Sequence, residues 1–185
     1  MKRFAKLLLV ALGFGALGFV MSLVPQKNGT GAAAASARVT NTPLPVTCRP
    51  VHGTIHSVLT TQNCTSPVGL CTAGTITDAG PLDGATAFVA LAVAPSAGLP
   101  ALEPPANLSY SGQLTIVASH GTMVTHDLGV LDAAHMAFTE INRPASGTGV
   151  FANPGNSVFF ISGSIVDNGQ GFQGDLTGTI CAGDN

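Results

Sequence analysis

Asp127 and Glu140 are the two residues whose types and spacing most readily support chemistry. Asp127 alternates with Thr125 onto one face of a strand-like run, and Glu140 alternates with Phe138 in the segment AFTEINR. If both strands line a barrel, the two carboxylates project into its lumen, where burial can separate their pKa values for acid–base work. The alternative is that they face solvent, or that one of them pairs with Arg143. The sequence therefore offers Glu140 and Asp127 as catalytic candidates and leaves the alternative open.

Other reactive side chains give weaker patterns. His52 and His56 are four residues apart, which places them on one face of a strand, but no third metal ligand is specified. We therefore interpret them as partly exposed surface histidines and expect neither a metal nor a cofactor. No GxSxG motif is present to hold a nucleophilic serine. With no tryptophan and one tyrosine, a sugar-stacking platform is not expected either.

The four cysteines, an even number in a chain with an export segment, predict two disulfides. Three pairings are possible. We favour Cys64–Cys71, because the Ser66-Pro67 turn can bring these residues together, with Cys48–Cys181 joining the start of the domain to its end. A zinc site is the competing interpretation, but the sequence contains no CxxC pair.

The amino terminus has the pattern of an export signal. Three basic residues in MKRFAKLL precede an uncharged run from Leu7 to Val24, and small residues follow up to Ala37. Residues 1–37 are therefore predicted to be a signal peptide, which implies a secreted or periplasmic protein. The run is eighteen residues long, so the alternative is an uncleaved anchor in which residues 7–24 tether the protein to the membrane.

The remainder of the chain is acidic. After residue 37 only three arginines remain against nine acidic residues, a formal charge of −6, and no lysine is left. Such a surface repels phosphate backbones, so nucleic-acid partners are excluded. A basic amphipathic membrane-binding face is absent as well.

From Arg49 onward, short runs rich in β-branched and aromatic residues alternate with Gly, Pro, Asn and Asp turns. We expect strands near residues 54–60, 72–77, 85–94, 109–118, 121–131, 136–142, 157–166 and 171–181. This order predicts an all-β fold, a closed antiparallel up-and-down barrel of about eight strands, with a β-sandwich as the alternative. Residues 1–37 are then the signal or anchor helix, 38–53 a flexible lead-in and 54–185 the barrel domain. The four prolines of residues 95–108 predict an exposed excursion.

The last two strands give the clearest patterns. Phe172, Leu176 and Ile180 alternate with polar residues, which predicts an apolar inner face and a polar outer face. The preceding run SVFFISGSIV is apolar on both sides and is interpreted as a central strand. The sequence Asp167-Asn168-Gly169 between them is typical of a hairpin turn.

The segment GTGVF at 147–151, followed by SVFFISGSI, resembles the GTGxF segment of the allene oxide cyclase and dirigent barrel superfamily. The pieces CTSPVGLCTAGTI, LTIVASHGTMVTHDLGVLD and GDLTGTIC resemble small exported bacterial proteins of that type. The resemblance implies an eight-stranded antiparallel barrel. Val150 stands where the superfamily usually has a basic residue, and Gly147 and Gly149 are interpreted as structural turn residues that allow a positive φ.

Members of that superfamily range from a cyclase to proteins that steer radical coupling without catalytic groups, so the fold does not decide the function. The favoured hypothesis is an exported, non-catalytic barrel that binds a small apolar ligand in its lumen or acts as a surface or structural module. The alternative is an isomerase-like, cyclase-like or dirigent-like activity in the lumen that uses Glu140 and Asp127. Nothing in the sequence specifies the ligand or the oligomeric state.

Overall fold

A computed structural model of the chain describes residues 46–96 and 107–183. These residues form eight strands and three single-turn 3-10 helices. The strands are β1 Val46–Leu59, β2 Cys71–Thr77, β3 Gly84–Pro95, β4 Asn107–Ala118, β5 Gly121–Asp132, β6 Ala137–Gly147, β7 Val158–Val166 and β8 Gly171–Gly183. The 3-10 turns are Gly80–Leu82, Gly149–Phe151 and Asp167–Gly169.

Each strand pairs antiparallel with the next, and β8 pairs with β1, so the sheet closes on itself. This confirms the predicted closed antiparallel barrel of eight strands and removes the sandwich alternative. The predicted signal or anchor helix at residues 1–37 lies outside the described residues. Within residues 46–96 and 107–183, no helix is long and apolar enough to cross a membrane.

Two strands extend several residues beyond their predicted bounds. β1 begins at Val46, eight residues before the predicted start, because residues 46–53 pair with the end of β8, from Leu176 to Gly183. This part of the predicted flexible lead-in is therefore strand. β6 continues past Pro144 to Gly147, and a register shift in its pairing with β5 next to Pro144 accommodates the proline. Residues 97–106, most of the predicted excursion, lie outside the described residues.

The alternation predicted for β8 is confirmed, since Leu176 and Ile180 are buried while the polar residues between them are exposed. β7 pairs with β6 and β8 and is a central strand, as predicted, but only one of its two apolar faces is buried. Phe159 and Ile161 are buried in the barrel, but Phe160 is 46% exposed on its outer surface. In a barrel each strand has one inner face only, so the second apolar face of β7 meets solvent.

The turns and the disulfides agree with most of the predictions made from the sequence. Asp167 and Asn168 both have positive φ in the turn between β7 and β8. Gly149 has φ +60, as expected, but Gly147 does not need positive φ; a Cβ there would instead collide with the Phe151 carbonyl oxygen at 2.3 Å. Both preferred disulfides are confirmed. Cys48–Cys181 links directly paired residues of β1 and β8, and Cys64–Cys71 closes the loop before β2.

The barrel interior has two different halves. We call the end with the loops that follow β2, β4 and β6 the packed end, because large side chains fill the interior there. The fully buried residues of this half include Ile76, Leu82, Ile116, Met123, Phe151 and Phe159. We call the opposite end, with the loops that follow β1, β3, β5 and β7, the cavity end. The closed sheet therefore surrounds a packed core at the packed end and internal space at the cavity end.

Candidate functional site

The cavity end of the barrel contains an internal cavity of about 120 Å³. Most of its wall is apolar and aromatic. The apolar residues include Ile55, Phe88, Leu114, Phe138, Ile161 and Phe172. Four side chains bring oxygen atoms to the wall: Ser57, Thr72, Tyr110 and Glu140. An engineered apolar cavity of ~150 Å³ takes up benzene or xenon, so the space is of the size of one small ring.

Both sequence-predicted carboxylates face the barrel interior. Asp127 is on the inner face of β5 and Glu140 on the inner face of β6, while Arg143 is exposed on the outer face. The pairing with Arg143 that the sequence left open is therefore not made. Glu140 lines the cavity. Asp127 is 3% exposed and lies between the cavity and the packed end, opposite Asn142 in the sheet register.

Glu140 is held by two donors. The Tyr110 hydroxyl donates to Oε2 of Glu140 at 2.8 Å, and Nδ2 of Asn142 donates to Oε1 at 3.2 Å. Burial raises the pKa of Glu140 above its usual value, and these two hydrogen bonds oppose part of the rise. Burial, reinforced by the adjacent Glu140, also raises the pKa of Tyr110, so the phenol stays protonated.

Asp127 belongs to a second group of polar contacts, which lies on the packed-end side of Glu140. Thr125 Oγ1 contacts Oδ1 of Asp127 at 2.5 Å, and it also lies 3.3 Å from Oδ1 of Asn142 and from the Leu114 carbonyl oxygen. The other carboxyl oxygen of Asp127, Oδ2, is buried without a hydrogen-bond partner. Burial raises the pKa of Asp127 to about 7, partly opposed by the Thr125 hydrogen bond.

Asn142 joins the two contacts, because its amide nitrogen reaches Glu140 while its amide oxygen reaches Thr125. A continuous chain of polar side chains therefore runs from the cavity wall into the packed core. Its two carboxyl groups both favour the protonated form more than an exposed acid does. Chemically, the arrangement can hold protons at two connected positions and can present one of them to a molecule in the cavity.

No cation in the described part of the chain balances these carboxyl groups. Arg49 and Arg143 are exposed, and all five histidines are exposed as well. His52 and His56 lie on the outer face of β1, in agreement with their interpretation as surface residues. His135 pairs with Asp132 at 2.8 Å, which lowers the pKa of Asp132. No three His, Cys, Asp or Glu side chains gather into a metal site within the described ranges.

A second, more polar cleft of about 290 Å³ lies at the packed end, between the start of β1, the end of β8 and the loops after β2, β4 and β6. Arg49 and His120 are the charged or titratable side chains that line it. Both are exposed, and neither lines the internal cavity that holds Glu140. The internal cavity is therefore the candidate site.

Sequence reasoning found the two carboxylates but not the residues that hold them. Alternation puts Thr125 on the same face as Asp127 but assigns it no role. Tyr110 was counted only as the single tyrosine, although alternation along 109–118 puts it on the face of Leu114. Asn142 shares the inner face of β6 with Glu140 by the same rule. Alternation alone could therefore have found all three, but not their contacts across strands.

The chain matches no protein-family model, no curated protein and no solved structure. The similarity of residues 147–151 to the allene oxide cyclase and dirigent superfamily gains no support from these comparisons. The resemblance stays a prediction. The cavity and its side chains are the observations that bear on function.

Proposed function

We propose that this protein is a binding protein whose barrel cavity takes up one small, mainly apolar molecule without converting it. The observation that carries the proposal is the cavity of about 120 Å³, walled by apolar and aromatic side chains with a few oxygen atoms at defined positions. This combination of apolar surface and few, localised polar groups is typical of small-molecule sites. A surface or structural role would not require internal space beside a packed core.

Titration with benzene tests this proposal, with the methyl groups of Ile55, Leu114 and Ile161 observed by NMR. Saturable shifts of these methyl signals are expected. Ala90 lies on the cavity wall and is fully buried, so Ala90→Leu should fill the space and abolish the shifts. Ala87, on the outer face of the same strand, gives the matched control Ala87→Leu, which should bind as the wild type does.

Two results would overturn the proposal: the absence of saturable shifts in the wild type, or unchanged binding by a folded Ala90→Leu variant. If Ala90→Leu fails to fold, Ala90→Val adds less volume at the same position. It should then weaken binding in proportion to the space it fills.

A second candidate is an isomerase-like, cyclase-like or dirigent-like activity in the same cavity. The observation that favours it is Glu140, a carboxyl group on the cavity wall with a raised pKa and two hydrogen-bond donors. Such a group can exchange a proton with a bound molecule. A ¹³C NMR titration of Glu140 tests this candidate, since a pKa near the usual 4.5 would remove it.

We further propose that the barrel works outside the cytoplasm, as a secreted or periplasmic protein. Its two disulfides are compatible with an oxidising compartment. Intact mass spectrometry of the protein recovered from its producing cells tests this. A mass that begins near residue 38 supports a cleaved signal, and a full-length mass in the membrane fraction supports an anchor.

A further inference from the structure

While Glu140 is protonated, the Tyr110–Glu140 pair has two hydroxyl protons but only one hydrogen bond between its members. Asn142 donates to Oε1 of Glu140, so a proton on this carboxyl group belongs on Oε2, the oxygen that also faces Tyr110. Two O–H groups then meet at a single 2.8 Å contact, and only one hydrogen can lie between the oxygens. The second O–H is left to donate elsewhere, and both residues line the cavity.

The same wall provides nothing to neutralise a charged ligand. Among the described residues that line the cavity, the titratable groups are Tyr110 and Glu140, with Asp127 buried next to them, and none of the three is a cation. A carboxylate in the cavity would therefore lie unpaired beside two acids. An ammonium group would have to leave water and would require Glu140 to ionise, two costs that its attraction to the carboxylate must first overcome.

We propose that the cavity selects uncharged molecules that carry a hydrogen-bond acceptor, such as a ketone oxygen, and that this acceptor binds at the Tyr110–Glu140 pair. The inference rests on the proposed binding function and names its ligand class. Ser57 and Thr72 offer further neutral hydroxyl groups on the wall, which fits an uncharged ligand. The acceptor takes the surplus proton of the pair as a hydrogen bond, while the apolar remainder contacts the aromatic wall.

Selection of this kind depends on the protonation of Glu140. Once Glu140 ionises, Tyr110 supplies the one remaining O–H of the pair, and it points at the carboxylate. The surplus donor is then lost. Asp127 ionises in the same cluster and adds like charge, whereas the five histidines and both described arginines are exposed and do not line the cavity. Preference for an acceptor should therefore fall as pH rises.

Four probes of similar size separate the possibilities by methyl NMR titration between pH 5 and 9. They are cyclohexanone, methylenecyclohexane, cyclopentanecarboxylate and cyclohexylammonium. At pH 5 we expect cyclohexanone to bind about 3- to 10-fold more tightly than methylenecyclohexane, the value of one net hydrogen bond. Neither charged probe should bind measurably. The ketone preference, which is the ratio of the affinities for cyclohexanone and methylenecyclohexane, should approach one at pH 9.

Glu140→Gln is the matched variant. Its amide can accept from Asn142 and donate to the Tyr110 oxygen, so it frees the Tyr110 hydroxyl at every pH. The ketone preference should therefore persist to pH 9 in Glu140→Gln, whereas Asp127→Asn retains the Glu140 carboxyl group and should still lose the preference between pH 5 and pH 9.

The inference would be overturned if either charged probe bound more tightly than cyclohexanone. It would also be overturned if the wild type had the same ketone preference at pH 5 and at pH 9. If methylenecyclohexane and cyclohexanone bind equally, the inference fails while the proposed binding function stands. If no probe binds, the binding function fails and the inference falls with it.

Discussion

The Tyr110 hydroxyl lies 2.8 Å from Oε2 of Glu140, although their strands, β4 and β6, are separated by β5. Gly129 of β5 stands between them, opposite Tyr110 on one side and opposite Glu140 on the other. A Cβ at Gly129 would lie 2.3 Å from the Tyr110 ring. The tyrosine therefore reaches its partner by lying directly over a residue that has no side chain.

Gly129→Ala should break this contact, because the added methyl group displaces the Tyr110 ring. We expect a loss of about 1–3 kcal/mol in the free energy of unfolding, the usual cost of overpacking. Urea unfolding measures it. In a double-mutant cycle with Tyr110→Ala, the cost of Gly129→Ala should shrink, since the colliding ring is gone. An equal cost in both backgrounds would show that the ring does not lie over Gly129.

Stability should fall as pH rises from about 4 to 7. Burial raises the pKa of Asp127 to about 7, so in this window the folded protein holds a proton that the unfolded chain releases. The full effect is on the order of 4 kcal/mol, and the raised pKa of Glu140 acts in the same direction. Urea unfolding at pH 5 and pH 8 should therefore show the more stable protein at pH 5.

Asp127→Asn removes the titration of Asp127 and should reduce this difference. Asp175→Asn, on the outer face of β8, is the surface control and should leave the difference as in the wild type. A wild-type protein that is more stable at pH 8 than at pH 5 would contradict the buried, proton-holding carboxyl group.

The two disulfides should differ in their contribution to stability. Cys48–Cys181 spans 133 residues and Cys64–Cys71 only seven. In the chain-entropy model these loops correspond to about 5 and about 2 kcal/mol. Cys48→Ala/Cys181→Ala should therefore lower the midpoint of urea unfolding more than Cys64→Ala/Cys71→Ala. The reverse order would show that local strain or packing, and not loop length, dominates.

The sequence predicted the barrel because local and global signals agree in it. Eight alternating runs separated by turn residues require a sheet, and Asp167-Asn168-Gly169 fixes one hairpin by its preference for positive φ. The start of β1 was missed because Val46 to Gly53 contains Pro50 and has weak alternation. These residues are strand because β8 offers them a pairing partner.

The candidate site was predicted in part. Alternation along β5 and β6 placed Asp127 and Glu140 on inner faces, and the closed sheet brought both faces to one lumen. The contact between Tyr110 and Glu140 depends on strand register and on the absence of a side chain at Gly129. Register between strands that are distant along the chain is set by packing of the whole barrel, so a local pattern does not contain it.

We propose that the cavity end of the barrel holds apolar space that a small molecule can enter. A crystal structure of the protein under xenon pressure tests it most directly, because xenon binds where a dry apolar cavity is accessible. We expect a xenon peak between Phe88, Leu114 and Ile161 in the wild type, and no peak there in Ala90→Leu. A wild-type cavity filled by side chains or by ordered water, without xenon, would contradict it.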